Sequence, residues 1–140
     1  MKDDALTEVE RQRILDAFAA VPFARVLGIE LEEIERGRAV VSLNLRDELK
    51  QNNGIIHGGV TASLIDTAAA FVILTQLEPE QTTTTVDLTI HYLRPLVDGQ
   101  ATAHARIVRG GRRLIIASVD VFDSSGKQAA TAVTTYIRLT

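Results

Sequence analysis

The feature that most constrains this chain is an uncharged stretch of 20 residues that contains a single acid. Asp66 is the only ionisable residue in positions 58–77, which otherwise hold apolar and small polar side chains. Such a run predicts a helix buried in a core. An isolated carboxylate is costly to bury, so Asp66 needs a partner or a task there. The stretch follows a polar loop, residues 51–57 with the sequence QNNGIIH, and opens with Gly58-Gly59.

A membrane span is the main alternative for this stretch, because about 20 apolar residues can cross a bilayer. Asp66 would then lie near the bilayer centre, where an acid is costly. A basic flank that would set the orientation of a span is also missing. We therefore expect a fully buried helix of a soluble domain and no association with a membrane.

Composition narrows the class of protein further. The 140 residues fit one domain, 1–140, and 46% hydrophobic with 24% charged residues is ordinary for a globular protein. A formal net charge of -3 argues against a nucleic-acid partner held by bulk charge. The absence of cysteine excludes disulfides, a thiol nucleophile and cysteine-bound zinc. Because Met1–Asp4 also lack the apolar core of a secretory signal, we expect a cytoplasmic protein.

The segments around the central helix predict an α+β fold. Thr7-Glu8-Val9-Glu10 matches a capping box and begins an N-terminal helix that Pro22 should end. Alternating residues in 28–32 and 41–45 predict a hairpin. Four more alternating segments joined by short turns predict an antiparallel meander: 82–93, 101–109, 113–123 and 129–139. One curved antiparallel sheet can then wrap the central helix.

The face of the central helix that carries Asp66 is predicted to be lined mainly by small side chains. At about 100 degrees per residue, its members are Gly59, Ala62, Ser63, Ala69, Ala70 and Ile73. Such a face leaves room for a ligand or a second backbone to approach Asp66.

The order of these elements and one motif resemble the hotdog-fold acyl-CoA thioesterases. The motif runs from Gln51 through His57-Gly58-Gly59 to Asp66 and is similar to the phenylacetyl-CoA thioesterase-like and 4-hydroxybenzoyl-CoA thioesterase branches. The resemblance covers residues 20–140 and continues through three further segments: Thr85-Val86-Asp87, Tyr92-Leu93-Arg94-Pro95 and Gly110-Gly111-Arg112. It implies hydrolysis of an acyl- or aryl-CoA thioester to free acid and CoA, without a metal or redox cofactor. It also implies at least a homodimer, and we expect a homotetramer built as a dimer of dimers.

The resemblance assigns catalytic roles to Gly58 and Asp66. The Gly58 N–H would donate to the thioester carbonyl oxygen, at a helix start that favours negative charge. Asp66 would act either as a nucleophile that forms an anhydride or as a general base that activates water. On spacing alone, Gly58 can equally be required by the backbone of the helix start, and Asp66 can be hydrogen-bonded to loop amides for structure.

The polar loop holds three further candidates. The family resemblance places at Gln51 an amide that orients substrate or water. The best-known patterns of the family pair a loop Asn with an Asp on the helix, or a loop Gln with a Glu, whereas this chain pairs Gln51 with Asp66. Asn52 or Asn53 can therefore take over this role after a small loop shift. His57 either contacts the carbonyl region or caps the turn. Gly59 would let the backbone approach the substrate closely.

Two other regions complete the expected site. Thr85 matches a hydroxyl position proposed to hold water in one branch of the family, and it is equally ordinary as a strand threonine. The turn formed by Arg109, Gly110, Gly111 and Arg112 lies near the CoA nucleotide in the family, whose phosphates suit arginines and backbone amides. Arg94 is a second CoA candidate. Charged residues at a hairpin tip are more often simply solvated.

Spacing predicts that the catalytic groups come from two chains. Asp66 lies about 12 Å beyond Gly58 if both are on one helix, whereas reacting groups must meet at about 3 Å. A twofold axis that brings each Asp66 to the other chain's Gly58 resolves this. Two rivals stay open: an acyl-thioester hydratase or dehydratase, whose histidine signature is missing here, and a non-catalytic acyl-CoA-binding module, which would not need Asp66.

Overall fold

The structure, a computed structural model, describes residues 4–139. Residues 1–3, on which the expectation of no secretory signal partly rests, lie outside the described residues. Residues 4–139 contain three α-helices, α1 (Glu8–Ala19), α2 (Pro22–Leu27) and α3 (Gly58–Leu74), and a short 3-10 helix at Asp47–Leu49. Six strands accompany them: β1 (Glu30–Glu35), β2 (Arg38–Asn44), β3 (Thr82–Tyr92), β4 (Gln100–Gly110), β5 (Leu114–Phe122) and β6 (Gln128–Leu139). Within this range, none of the helices is long and apolar enough to cross a membrane.

The six strands form one antiparallel sheet in the order β1-β2-β4-β5-β6-β3. The expected α+β architecture is confirmed, but the four-stranded meander was wrong in one pairing. β3 pairs with β6, and β4 pairs with β2. Residues 93–99 therefore carry the chain from an edge of the sheet to its interior. Alternation reveals where strands lie, but their neighbours depend on which faces and edges the connections can reach.

The sheet packs against one side of α3. Leu64, Ile65, Ala68 and Val72 on the helix are at most 1% exposed. The sheet positions that are buried in the same core include many alanines: Ala101, Ala103, Ala105, Ala117, Ala130 and Ala132. Because alanine is short, the helix can lie close to the sheet.

The expectation of a fully buried central helix was wrong. The side of α3 away from the sheet is partly exposed at Ala62, Ser63, Asp66 and Ala70. A single sheet covers only one side of a helix, so the small-residue face stays open. Two residues expected on that face, Ala69 and Ile73, are instead fully buried. The helix also ends at Leu74, a few residues earlier than predicted.

The structure of the N-terminal segment agrees with the sequence predictions, with one correction. The capping box is formed, since the Thr7 hydroxyl accepts from the Glu10 N–H at 3.1 Å and Glu10 accepts from the Thr7 N–H at 3.0 Å. Pro22 does not simply end α1; it occupies the first turn of α2, where its missing N–H is not needed. Gly28 ends α2 with a φ of 84°, so β1 begins after it, at Glu30.

Arginines from α1, the β1–β2 turn and β6 secure the C-terminal end of α3. Arg13, Arg36 and Arg138 donate to the backbone carbonyls of residues 75–77 at 2.8–3.2 Å. Cations at this end also suit the helix dipole. Arg36 is nearly buried and makes two hydrogen bonds to Glu10, at 2.8 and 2.9 Å. These contacts fix the position of the helix that carries the candidate site.

Candidate active site

Gly58 is the first residue of α3, and its backbone is held on one side. The ring of Tyr92 packs against it, so a Cβ at this position would lie 3.4 Å from the ring. The Tyr92 hydroxyl donates to the Gly58 carbonyl at 2.7 Å. The Gly58 N–H makes no hydrogen bond to residues 4–139. A helix N-terminus with an unused N–H is suited to an oxyanion.

His57 caps the start of α3. Its Nδ1 accepts from the Gly59 N–H at 2.8 Å. The capping alternative for His57 is therefore the one that the structure supports. It also explains Gly59, because a Cβ there would lie 3.0 Å from Nδ1 of the His57 ring. The Gly59 N–H is occupied by this cap, which leaves the neighbouring Gly58 N–H as the available donor.

A cleft of about 400 Å³ opens beside Gly58 and brings predicted residues together. Gln51 and Arg94 line it, together with Tyr92. The Gln51 side-chain oxygen accepts from the Asn53 N–H within the loop turn. The side chain of Asn53 is exposed, and Asn53 is not among the residues that line the cleft. Of the loop amides, Gln51 is thus the one placed beside Gly58.

Asp66 is half-buried on the open face of α3, and one of its oxygens is held by two hydroxyl groups. Oδ1 accepts from Oγ1 of Thr85 at 3.1 Å and from Oη of Tyr136 at 2.6 Å. Oδ2 makes no hydrogen bond within the described part of the chain. The alternative of a carboxylate bonded to loop amides was therefore wrong.

Tyr136 was not expected in the site. It lies on β6 directly opposite Thr85 on β3 and is only 4% exposed. Burial first, and then the hydrogen bond to Asp66, raise the pKa of Tyr136 above its usual range. The alternation of β6 could have predicted this position, because Tyr136 follows Ala130, Ala132 and Thr134 at every second residue on the inward face of the strand. A tyrosine in such a phase needs a buried partner for its hydroxyl.

A mainly apolar depression of about 440 Å³ adjoins Asp66. Its lining includes Phe23 of α2 and Ala70, Phe71 and Leu74 of α3. The open face of α3 therefore offers an acid beside a hydrophobic surface.

The predicted CoA residues divide between the two ends of α3. Gly110, Gly111 and Arg112 line a depression near the C-terminal end of α3, which shares Gln81 with the depression beside Asp66. Arg94 lies instead in the cleft beside Gly58. The turn is built tightly, since a Cβ on Gly111 would lie 2.5 Å from the Leu114 carbonyl.

Two members of this turn differ from the expected pattern of phosphate donors. The Gly111 N–H is already bonded to the Leu114 carbonyl at 3.0 Å, so it is not available to a ligand. Arg109 is exposed and does not line the depression. Arg112 is the charged residue of the turn that the structure places there.

Gly58 and Asp66 lie on the same continuous helix, about 12 Å apart along its axis. Two different parts of β3 contact them: Tyr92 donates to the Gly58 carbonyl, and Thr85 donates to the Asp66 carboxylate. One chain thus carries the candidate groups as two separate half-sites, one around Gly58 and one around Asp66, rather than as one assembled site. In residues 4–139, no group of three histidine or acidic side chains is placed to hold a metal ion.

The curved antiparallel sheet packed on a long helix is the hotdog fold, and sequence comparison identifies the family. Residues 53–130 match the profile of the thioesterase superfamily. A medium/long-chain acyl-CoA thioesterase of Salmonella typhimurium is 32% identical over 132 residues, covering 84% of this chain and 85% of the relative. The chain belongs to the thioesterase superfamily and is a thioester hydrolase.

Two further proteins extend this finding. A 1,4-dihydroxy-2-naphthoyl-CoA hydrolase of Listeria monocytogenes is 28% identical over 101 residues, covering 72% of this chain and 82% of the relative. The crystal structure of a thioesterase family protein from Silicibacter pomeroyi superposes with a TM-score of 0.89 at 25% identity. That superposition covers 93% of this chain and 98% of the other. The family resemblance read from the sequence is confirmed.

Proposed function

We propose that this protein hydrolyses acyl- or aryl-CoA thioesters to the free acid and CoA. The observation that carries the proposal is the Asp66 carboxylate, held through one oxygen beside an apolar depression on an open helix face. The names of two relatives, an acyl-CoA thioesterase and a naphthoyl-CoA hydrolase, support CoA thioesters as the substrate class.

The Gly58 N–H polarises the thioester carbonyl. As the carbonyl carbon is attacked, its oxygen becomes negative and is stabilised by this N–H and by the helix dipole. One donor of this kind contributes about 3 kcal/mol to lowering the barrier. The cap by His57 and the contact with Tyr92 keep this backbone in place. Gln51 lies in the same cleft and can orient the carbonyl or a water molecule.

Asp66 promotes attack on the thioester carbonyl carbon by one of two routes. As a nucleophile, one Asp66 oxygen bonds to the carbonyl carbon and the C–S bond breaks to release the CoA thiolate. Water then hydrolyses the anhydride, which frees the acid and the Asp66 carboxylate and supplies the proton that the thiolate takes up. As a general base, it takes a proton from water, the water oxygen bonds to the carbon, and the proton passes to the leaving thiolate. Thr85 lies where it can steady either the carboxylate or that water.

The two half-sites are completed by a second copy of the chain. Because Gly58 and Asp66 are too far apart to reach one carbonyl, Asp66 works with Gly58 of the partner subunit. Two features support a homodimer as the minimum: the open small-residue face of α3, and β3, an edge strand with an exposed Val86. Pairing of dimers into a homotetramer follows from the family resemblance.

The substrate spans both half-sites. Its acyl or aryl group occupies the apolar depression beside Asp66, which Ala70 and Leu74 line. Arg94 and Arg112 are the candidates for the CoA phosphates, with Gly110 beside Arg112. The reaction needs no metal or redox cofactor, and a cytoplasmic location stays a prediction.

A panel of CoA esters tests this proposal. The wild type should hydrolyse at least one acyl- or aryl-CoA, and Asp66→Ala and Asp66→Asn should each lower kcat by roughly 10²-fold or more with the fold retained. Hydrolysis that is unchanged in both variants would refute the role of Asp66. Tight binding of CoA esters without hydrolysis by the wild type would favour a non-catalytic binding module, and hydration of an enoyl-CoA would favour a hydratase.

A further inference from the structure

We infer that Tyr136 is the positioning residue of Asp66, and that Asp66 Oδ2 is the oxygen that reacts. This inference rests on the proposed function, because it assigns a task to a residue that acts through Asp66. Tyr136 does not itself touch the substrate in this proposal. It fixes the plane of the carboxylate from a buried position on β6.

The hydrogen bonds at Asp66 are all on one oxygen. The Tyr136 hydroxyl lies 2.6 Å from Oδ1, and the Thr85 hydroxyl lies 3.1 Å from the same atom. The Asp66 backbone carbonyl is also 3.0 Å from the Tyr136 hydroxyl. A single phenolic proton goes preferentially to the charged carboxylate, where the hydrogen bond is shorter and stronger. Oδ2 is left without a donor in the described part of the chain.

This asymmetry separates the two oxygens by function. An oxygen that accepts two hydrogen bonds has its lone pairs occupied and is a poor nucleophile or base. The other oxygen keeps its lone pairs and its reactivity. Both proposed routes, direct attack and water activation, require one carboxylate oxygen to point at the substrate. The hydroxyl pair therefore selects Oδ2 for either route.

Of the two hydroxyl groups that donate to Asp66 Oδ1, that of Tyr136 fixes the carboxylate more firmly. Its ring is buried in the core at 4% exposure, so it has one fixed position, whereas Thr85 is exposed. Its bond to Oδ1 is also the shorter one. Because its pKa is raised by burial and by Asp66, the hydroxyl keeps its proton and remains a donor at physiological pH.

Tyr136→Phe tests this role, because it removes the hydroxyl and keeps the ring. We expect kcat to fall roughly 10- to 100-fold while KM changes less than about twofold, since orientation and not binding is lost. Thr131→Val is the matched control: it also removes a β6 hydroxyl that donates to a carboxylate, in this case Asp120 at 2.7 Å. Thr131 lies between the inward-facing Ala130 and Ala132, so its side chain is on the sheet face away from α3 and its kcat should stay near that of the wild type.

A double-variant measurement distinguishes positioning from a structural effect. If Tyr136 acts only through Asp66, adding Tyr136→Phe to Asp66→Ala should leave the residual rate unchanged. A further loss in that background, or an equal loss in Thr131→Val, would overturn the inference. So would an unchanged kcat in Tyr136→Phe in an enzyme that depends on Asp66. By contrast, activity that does not depend on Asp66 would refute the proposed function itself.

A second variant covers the case in which Tyr136→Phe does not fold. Site-specific 3,5-difluorotyrosine at position 136 keeps the shape and the donor, but its hydroxyl loses its proton at a lower pH. We expect this protein to lose kcat at alkaline pH where the wild type does not. Identical alkaline profiles of the two proteins would overturn the positioning role.

Discussion

Thr85 and Tyr92 both hydrogen-bond to α3 although they are an odd number of positions apart on β3. Thr85 reaches the Asp66 side chain, and Tyr92 reaches the Gly58 carbonyl. In a regular strand, residues at an odd spacing point to opposite faces of the sheet. The pairing of β3 with β6 shifts between Thr85 and Asp87, so Val86 is the extra residue of a β-bulge. The bulge turns both hydroxyls toward the helix.

Deleting Val86 should therefore separate the two contacts. The deletion restores regular alternation, so that only one of Thr85 and Tyr92 can face α3. We expect a large loss of kcat together with a lower melting temperature. Val86→Ile is the control, because it keeps both the bulge and an apolar side chain at this position of the proposed dimer surface, which is 54% exposed in one chain. If the deletion variant keeps wild-type kcat, the bulge does not position the site.

The proposed role of the Gly58 N–H can be tested without disturbing the helix start. Proline is favoured at the first position of a helix, and His57 before it has a ψ of 132°, which proline tolerates. Gly58→Pro removes the N–H and adds a ring whose Cβ lies beside Tyr92; loss of the N–H should lower kcat about 10²- to 10³-fold. Gly58→Ala keeps the N–H and places its Cβ in ordinary contact with Tyr92, 3.4 Å away. Equal activity of the two variants would contradict a role for the N–H.

Motif and alternation could predict the parts of the site that depend on local chain geometry. Gly58 at a helix start and Asp66 further along the same helix follow from the uncharged stretch and its glycines. The capping role of His57 was one of two open alternatives. These are contacts within one element or at its end, where spacing determines which groups meet.

The parts that sequence could not supply depend on strand pairing. Tyr136 and Thr85 meet at the same oxygen of Asp66 because β6 pairs with β3, a pairing that the expected meander did not contain. The bulge at Val86 leaves no mark in the alternation of Leu88 and Ile90 that follows it. Pairing and register are set by tertiary packing across the whole sheet, so a pattern within one strand does not reveal them.

The Glu10–Arg36 pair should make the fold sensitive to acid. The hydrogen bond from Arg36 first, and then that from the Thr7 N–H, lower the pKa of Glu10 from 4.5 to about 2. A carboxyl whose pKa is lower in the folded state stabilises the fold above pH 4.5, and this contribution is lost as the pH falls to about 2. We expect Glu10→Gln to lower the unfolding free energy at pH 7 by about 1–3 kcal/mol.

The same variant supplies the measurement of this pH dependence. Urea unfolding of wild type and Glu10→Gln should differ most at neutral pH, and the difference should shrink between pH 4.5 and 2. A difference in unfolding free energy that stays constant across that range would mean that the ionised Glu10 carboxylate does not stabilise the fold through Arg36. Glu8→Gln is the matched control, since it removes the other acid of the first turn of α1, whereas the ion pairs of Arg36 are with Asp4 and Glu10.

The depression beside Asp66 should set the length of acyl chain that the enzyme accepts. Ala70 lines it, and Ala70→Leu adds bulk to the space assigned to the acyl group. We expect kcat/KM to fall most for long acyl-CoA esters and least for acetyl-CoA, which serves as the internal control. An equal fall for all chain lengths would place the acyl group elsewhere.

A mixed dimer provides the strictest test of a site shared between subunits. Gly58→Pro lacks the N–H but keeps Asp66, and Asp66→Asn lacks the acid but keeps Gly58. Each variant should be nearly inactive as a homodimer. In a heterodimer made with two affinity tags, one site pairs the intact Gly58 of one chain with the intact Asp66 of the other. That dimer should regain about half of the wild-type kcat per dimer, because one of its two sites is complete. A heterodimer as inactive as its parents would mean that Gly58 and Asp66 of the same chain act together. Their separation of about 12 Å along α3 does not allow this without a large rearrangement.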